Sequence, residues 1–228
     1  MMLGIDTALD TMSVAVTDGE STVSSIVISE RNAHDEYLAA SIVSVLKEAS
    51  IAVKDLAGVA VSAGPGSFTG LRIGMAEAKG IAFAAEIPLL LVPTLDAIAA
   101  KTAANLPDVR NRPLAVIMDA RKNDIYASLF TIDGGAYTVE SVAAAYYIEE
   151  FLPMLPGGSL VTGDGVEKLA ALGRGVFETV SPPDALSDAP TVARLGAEML
   201  AAGRSVDPAT AEPLYIREFR TTVPKKNV

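Results

Sequence analysis

The chain has 228 residues, a formal net charge of −10, an even split of hydrophobic and other residues, and no cysteine. That length supplies one sizeable core or two small domains, and the missing cysteines exclude a disulfide framework, a thiol nucleophile and a cysteine-ligated zinc. The acidic balance argues against unaided nucleic-acid binding, which needs a basic patch, and no apolar run nears the roughly 18 residues of a bilayer span. A mean hydropathy of +0.36 excludes a disordered chain. With aromatics at 5% and no tryptophan, the core must be built from Ala, Val, Leu and Ile. The opening "MMLGIDTALD" has no basic stretch and soon reaches Asp6, so it does not read as a signal peptide, and a cytoplasmic location is expected.

In chain order, residues 3–30 read as three strands, with apolar alternation at Met12, Val14 and Val16 and a hairpin turn at Asp18-Gly19. Residues 34–49 switch to helical period, with Leu38, Ile42, Val45, Leu46 and Ala49 on one stripe. "LAGVAVSAG" is a buried strand, a glycine loop follows, a nearly uncharged helix runs over 67–85, and "PLLLV" makes a fifth strand. The second half repeats the plan. "PLAVIMDA", "DIYASLFTIDGG" and "AYTVESV" are strands, "YYIEEFLPML" a short helix, "SLVTGDG" a strand and turn, "VEKLAALG" a helix, "GVFETVSP" a strand and "TVARLGAEMLAAG" a helix. Both halves open on a strand ending in aspartate (Asp6, Asp119), turn at Asp-Gly, and carry Gly-x-Gly after a later strand (Gly64 to Gly66, Gly163 to Gly165). The expectation is a duplicated βββαβα(β) unit, forming lobes 1–105 and 106–228 of the ribonuclease-H-like, actin-type (ASKHA) α/β architecture.

Such lobes usually bind a nucleotide between them. Here the first hairpin, "DTALDTMSV", keeps Asp6 and Thr7 but has bulky Leu9 and Met12 where a phosphate loop needs glycine. The equivalent second turn, "DARKNDIY", also lacks glycine, and its Arg121 and Lys122 suit either an anion or plain solvent. Asp6, Thr7, Asp119, Arg121, Gly163 and Gly165 therefore outline at most a weak ATP or ADP cleft, and a carboxylate magnesium site at Asp6, Asp10 and Asp119 competes with capping roles for the same aspartates. His34 is the single histidine, so no HExxH motif can form, and no GxSxG elbow is present. No catalytic or metal-binding residue is expected, and no cofactor is required.

The glycine loop "GPGSFTG" puts Ser67 at a helix N-cap, without the GK[ST] ending of a P-loop. Within that helix Gly70, Gly74 and Ala78 recur every four residues, a smooth strip where another backbone can come close. Each glycine inside a helix costs roughly 1 kcal/mol against alanine, so the strip needs a compensating contact. Ile73, Gly80 and Phe83 are assigned to packing on the lobe's own sheet, and the strip, with Ala39, Ala40 and Val43 of the preceding helix, to a partner. Gly74→Arg is then expected to break a complex and spare the fold. The basic tail at Arg217, Arg220, Lys225 and Lys226 reads as a solvated end or a minor nucleic-acid contact.

"GIDTALDTMSVAV", "AGPGSFTGLRIGMAEAKGIA" and "EPLYIRE" closely resemble the TsaB (YeaZ) family, over essentially the whole chain. The resemblance implies two actin-like lobes and a place in the bacterial machinery that makes N6-threonylcarbamoyladenosine beside the anticodon of tRNAs reading ANN codons. It implies a non-catalytic partner of the related subunit TsaD, joined by the ATPase TsaE, forming a homodimer when alone and meeting tRNA only through the complex. The implied contact surface is His34, Leu38, Ala39, Ile42, Val43, Gly70, Leu71, Gly74, Met75 and Ala78. TsaD carries a metal-binding HxxxH motif after the shared helix; counted from Pro88, those histidines fall on Thr94 and Ile98 here. Neither is a plausible ligand for iron or zinc.

Overall fold

A computed structural model describes residues 1–29, 33–172, 177–180 and 186–216, with the side chains of residues 33 and 34 left out. The first half is β1 (Met2–Asp6), β2 (Met12–Asp18), β3 (Ser21–Ile28), α1 (Ala33–Glu48), β4 (Gly58–Gly64), α2 (Phe68–Ala85), β5 (Leu89–Pro93) and α3 (Thr94–Asn105). The second is β6 (Arg112–Asp119), β7 (Asp124–Asp133), β8 (Ala136–Val139), β9 (Ala144–Tyr147), α4 (Ile148–Phe151), β10 (Leu160–Thr162), α5 (Val166–Ala171), β11 (Glu178–Thr179) and α6 (Ala189–Ala201).

The duplication is explicit in the strand orders, β3-β2-β1-β4-β5 in one sheet and β8-β7-β6-β10-β11 in the other, with β9 on β7. In each, the first two strands pair antiparallel and the later strands join parallel. The central strands β1 and β4 are buried along their whole length, because helices cover both faces of the first sheet. α1 and α2 share one face, with Leu38, Ile42, Val45, Met75, Ala78 and Ala82 packed on Leu3, Ile5, Val14 and Val61.

Three features depart from the sequence reading. Tyr146 and Tyr147, expected to open a helix, end the strand β9 instead. A helix, α3, follows "PLLLV", where only a closing strand was expected. Moreover, the last helix of each half covers the other half's sheet. α3 sends Leu95, Ile98, Ala99 and Ala103 into the second sheet's core with Leu114, Val116 and Phe130. α6 places Val192, Ala193 and Leu195 on the first sheet, against Met2, Ala60 and Leu90. A boundary at 105/106 therefore separates the sheets but not their covering helices. After α6 the chain returns along the first lobe: Val206 bridges Leu89 at the sheet edge, Ala211 is buried, and Leu214 N donates to Ala63 O at 2.6 Å.

Candidate functional site

The glycine helix starts as its sequence demands: Ser67 Oγ accepts from Gly70 N at 3.2 Å, a one-residue N-cap. Its strip of small residues, however, faces inward. A Cβ on Gly70 would overlap the Thr7 carbonyl, and one on Gly74 the Thr7 hydroxyl. Gly70, Leu71, Gly74, Met75 and Ala78 are all buried within the chain, as are Leu38 and Ile42 of α1. The compensating contact that the glycines need is the β1–β2 turn of the same lobe. Of the ten residues expected at a partner surface, Ala39 and Val43 are exposed, and the His34 side chain lies outside the described residues.

The face that does reach solvent is the one assigned to the sheet. Phe83 is 74% exposed and Val43 65%. Ala40 on α1 and Ala76, Gly80 and Ala84 on α2 are exposed as well. Because α1 and α2 cover the same face of one sheet, these residues look outward together. Sequence reasoning missed Ala76, Phe83 and Ala84. The signal was there, in a second apolar stripe at 76, 80, 83 and 84, but period alone does not say which stripe meets the sheet.

Between the lobes lies a cleft of about 650 Å³, lined by Leu9 to Thr11, Gly66 to Thr69, Met118 to Arg121, Tyr126, Asp164 and Leu186. Asp119 and Arg121 are on it. Asp119 Oδ1 accepts from Lys168 Nζ and from Arg121 N, each at 2.5 Å, and Asp164 Oδ1 accepts from Asp119 N at 3.0 Å. Asp164 keeps an exposed surface, and the partial desolvation of its carboxyl between the lobes raises its pKa; the Asp119 N–H opposes this, and the charges of Asp119 and Asp10 add to it.

Asp6 and Thr7 do not line the cleft. Asp6 is only 2% exposed and sealed beneath it. Its Oδ1 accepts from Ala8 N at 3.1 Å and its Oδ2 from Ser187 Oγ at 2.5 Å. Burial raises its pKa against the pull of the Ser187, Ala8 and Ser62 hydrogen bonds. Thr7 is buried against α2, its N–H donated to Ser62 Oγ at 3.2 Å. Gly163 and Gly165 pack on Ile117, where a Cβ on Gly163 would overlap the Ile117 carbonyl, and so act in the second sheet. A metal-bound nucleotide does not fit these residues. The strand-end aspartate is buried and off the cleft wall, Leu9 stands in for phosphate-loop glycine, and three carboxylates (Asp10, Asp119, Asp164) outnumber Arg121 around the space that phosphates would need.

The family model described as TsaD, tRNA N6-adenosine threonylcarbamoyltransferase, matches residues 22–187. A TsaB of Escherichia coli K12, named as a tRNA threonylcarbamoyladenosine biosynthesis protein, is 28% identical over 221 residues, covering 95% of this chain and 94% of that one. An uncharacterized protein of Mycobacterium tuberculosis H37Rv is 32% identical over 217 residues, covering 92% and 90%. A solved structure of YeaZ from Pseudomonas aeruginosa superposes with a TM-score of 0.77 at 26% identity, over 94% of this chain and 98% of that one. The chain belongs to the TsaB (YeaZ) family. A second Pseudomonas aeruginosa structure, described as similar to the peptidase YeaZ, gives 0.81 at 26% identity over 95% and 99%. At 9% identity and a TM-score of 0.52, a putative N-acetylmannosamine kinase from Listeria monocytogenes shares the actin-like fold alone.

For a TsaB-family chain, the positions counted against the TsaD histidines are structural. Thr94 is fully buried and accepts from Gly64 N at 3.2 Å, and Ile98 is fully buried in the second sheet's core. Among the described residues no helix is long and apolar enough to cross a membrane.

Proposed function

We propose that this chain is the non-catalytic subunit that binds and activates TsaD, together with TsaE, in forming N6-threonylcarbamoyladenosine beside the anticodon of tRNAs reading ANN codons. The observation that carries the reading is the outward apolar face of α1 and α2, where Val43 and Phe83 are 65% and 74% exposed on neighbouring helices. A bulky apolar pair left in solvent on a well-packed lobe marks an interaction surface. Family membership supports TsaD as the partner. The buried Thr94 and Ile98, at the counted metal-ligand positions, support a non-catalytic role and give no support to peptidase chemistry. In this reading the same face joins two copies when TsaD is absent, and tRNA is met only through the assembled complex.

The experiment is threonylcarbamoyl transfer to tRNA by TsaD and TsaE with and without this chain. Turnover should require the chain and survive Asp119→Asn, which alters the cleft and its ion pair to Lys168. Turnover that is indifferent to the chain sinks the proposal.

A further inference from the structure

The residues leading into α6 reach alternately to the two lobes. Leu186 packs on the second sheet's apolar cluster, to which Leu9 of the first lobe also belongs. Ser187 turns to the first lobe and donates its hydroxyl to Asp6 Oδ2 at 2.5 Å. Asp188 turns back to α3, which lies on the second sheet, and its carboxylate sits 2.9 Å from Lys101 Nζ. It also caps α6, accepting from Thr191 N at 2.9 Å. Ala189 then donates its N–H to Ser13 Oγ of β2 at 2.9 Å.

We infer that Asp6 is the anchor of an inter-lobe clasp, holding Leu186–Ala189 across the crossover and so fixing the angle between the lobes. Three facts carry this. The Asp6 carboxyl accepts from the Ser187 hydroxyl in a buried setting, where a hydrogen bond is electrostatically stronger than in water. It is 2% exposed, so the acceptor side of the bond is closed to water, with Ser187 half-buried over it. And each of its oxygens accepts a bond from the chain, Oδ1 from Ala8 N–H and Oδ2 from the Ser187 hydroxyl, so the carboxyl is held from both sides. Two-lobed proteins of this architecture usually draw their lobes together on a nucleotide in the cleft. Here the position that would hold the metal is turned inward and grips the chain itself.

The test uses the full chain, whose lack of cysteine makes paired spin labels at the exposed positions Lys54→Cys and Glu167→Cys clean. The otherwise unaltered protein should give one narrow inter-lobe distance, unchanged by excess Mg²⁺-ATP. Ser187→Ala removes one hydroxyl and leaves both cores intact. It should broaden that distance and speed hydrogen exchange at the Ala189 amide by about tenfold. Ser187→Thr, which keeps the hydroxyl, should restore both. An unchanged distance and unchanged exchange in Ser187→Ala would overturn the clasp. So would a Mg²⁺-ATP-driven contraction of the unaltered protein that disappears in Asp6→Ala, because Asp6 would then be serving a metal.

Discussion

The hydroxyl of Thr7, at the end of β1, occupies the space that any side chain on Gly74 of α2 would need. Thr7 Oγ1 has no hydrogen-bond partner of its own and is fully enclosed, so it serves the site by filling volume. Gly74→Ala should therefore cost about 2 kcal/mol of stability through overpacking. Thr7→Ala alone should be mild, leaving no polar group unsatisfied, and in the double variant it should recover much of the loss. Urea unfolding of the four proteins reads this as a coupling energy. Gly74→Arg, expected from sequence to spare the fold, should abolish it instead, and a soluble, cooperative Gly74→Arg protein would show that α2 can lift off the turn.

That reversal marks where the sequence was legible and where it was not. Local signals were sufficient for local structure: Ser67 as the cap, Asp18-Gly19 and Asp133-Gly134 at hairpins, and the strands closed by Asp6 and Asp119 all stand as read. The duplicated order of strands was legible too, because each turn chemistry repeats. What failed needed long-range knowledge. α2 has two apolar stripes, and only the packed structure shows that the Gly70–Gly74 stripe meets Thr7 while the Phe83 stripe meets solvent. Nothing in "TLDAIAAKTAAN" or "APTVARLGAEMLA" states that these helices exchange sheets, since each carries an apolar stripe that either sheet could bury.

The second prediction follows from the exposed stripe. Phe83→Asp and Val43→Asp remove apolar surface already in water, so stability should stay within about 0.5 kcal/mol of the parent. Co-elution with TsaD, and transfer activity with it, should fall by about 100-fold if these two are central contacts. Size-exclusion chromatography of mixed proteins, beside a thermal melt, separates surface loss from unfolding. A pair of variants that bind TsaD as the parent does would move the working surface elsewhere.

The return stretch after α6 depends on one long side chain. Lys79 Nζ donates to the Ala211 carbonyl at 2.7 Å, which seats the buried Ala211 on α2 while the Tyr215 ring lies tilted against Phe68, 5.7 Å between centroids. Lys79→Met keeps most of the aliphatic stem and removes only the donor. It should cost about 1 kcal/mol and expose the 207–216 stretch. Limited proteolysis should then cut there first, with the two sheets still intact by circular dichroism. Cleavage no faster than in the parent would mean that Ala211 and the Leu214–Ala63 bond hold the stretch unaided.

The last prediction concerns acid. Burial alone would raise the Asp188 carboxyl, but the Lys101 ion pair and the bonds from Thr191 outweigh it and hold the pKa below the ordinary 3.8. A depressed folded-state pKa contributes stability that is present above the unfolded value and lost as pH falls through the folded one. Asp188→Asn keeps an N-cap acceptor but loses the ion pair, and with both partners mostly enclosed it should cost about 1 kcal/mol at neutral pH. The gap between parent and variant should hold steady down to the ordinary carboxylate range and close only below it. Asp6 acts with the opposite sign. Its pKa is raised, so its ionised form weighs against folding at neutral pH, and protonation relieves that cost as acid is added. The charge of Asp188 adds to the rise at Asp6, so the variant also eases Asp6, and the difference between the two acid limbs reads the pair. Urea midpoints across a pH series give that difference directly. A gap that already closes above the ordinary carboxylate range would mean that Lys101 does not hold Asp188 charged, and that the clasp at this end rests on the cap alone.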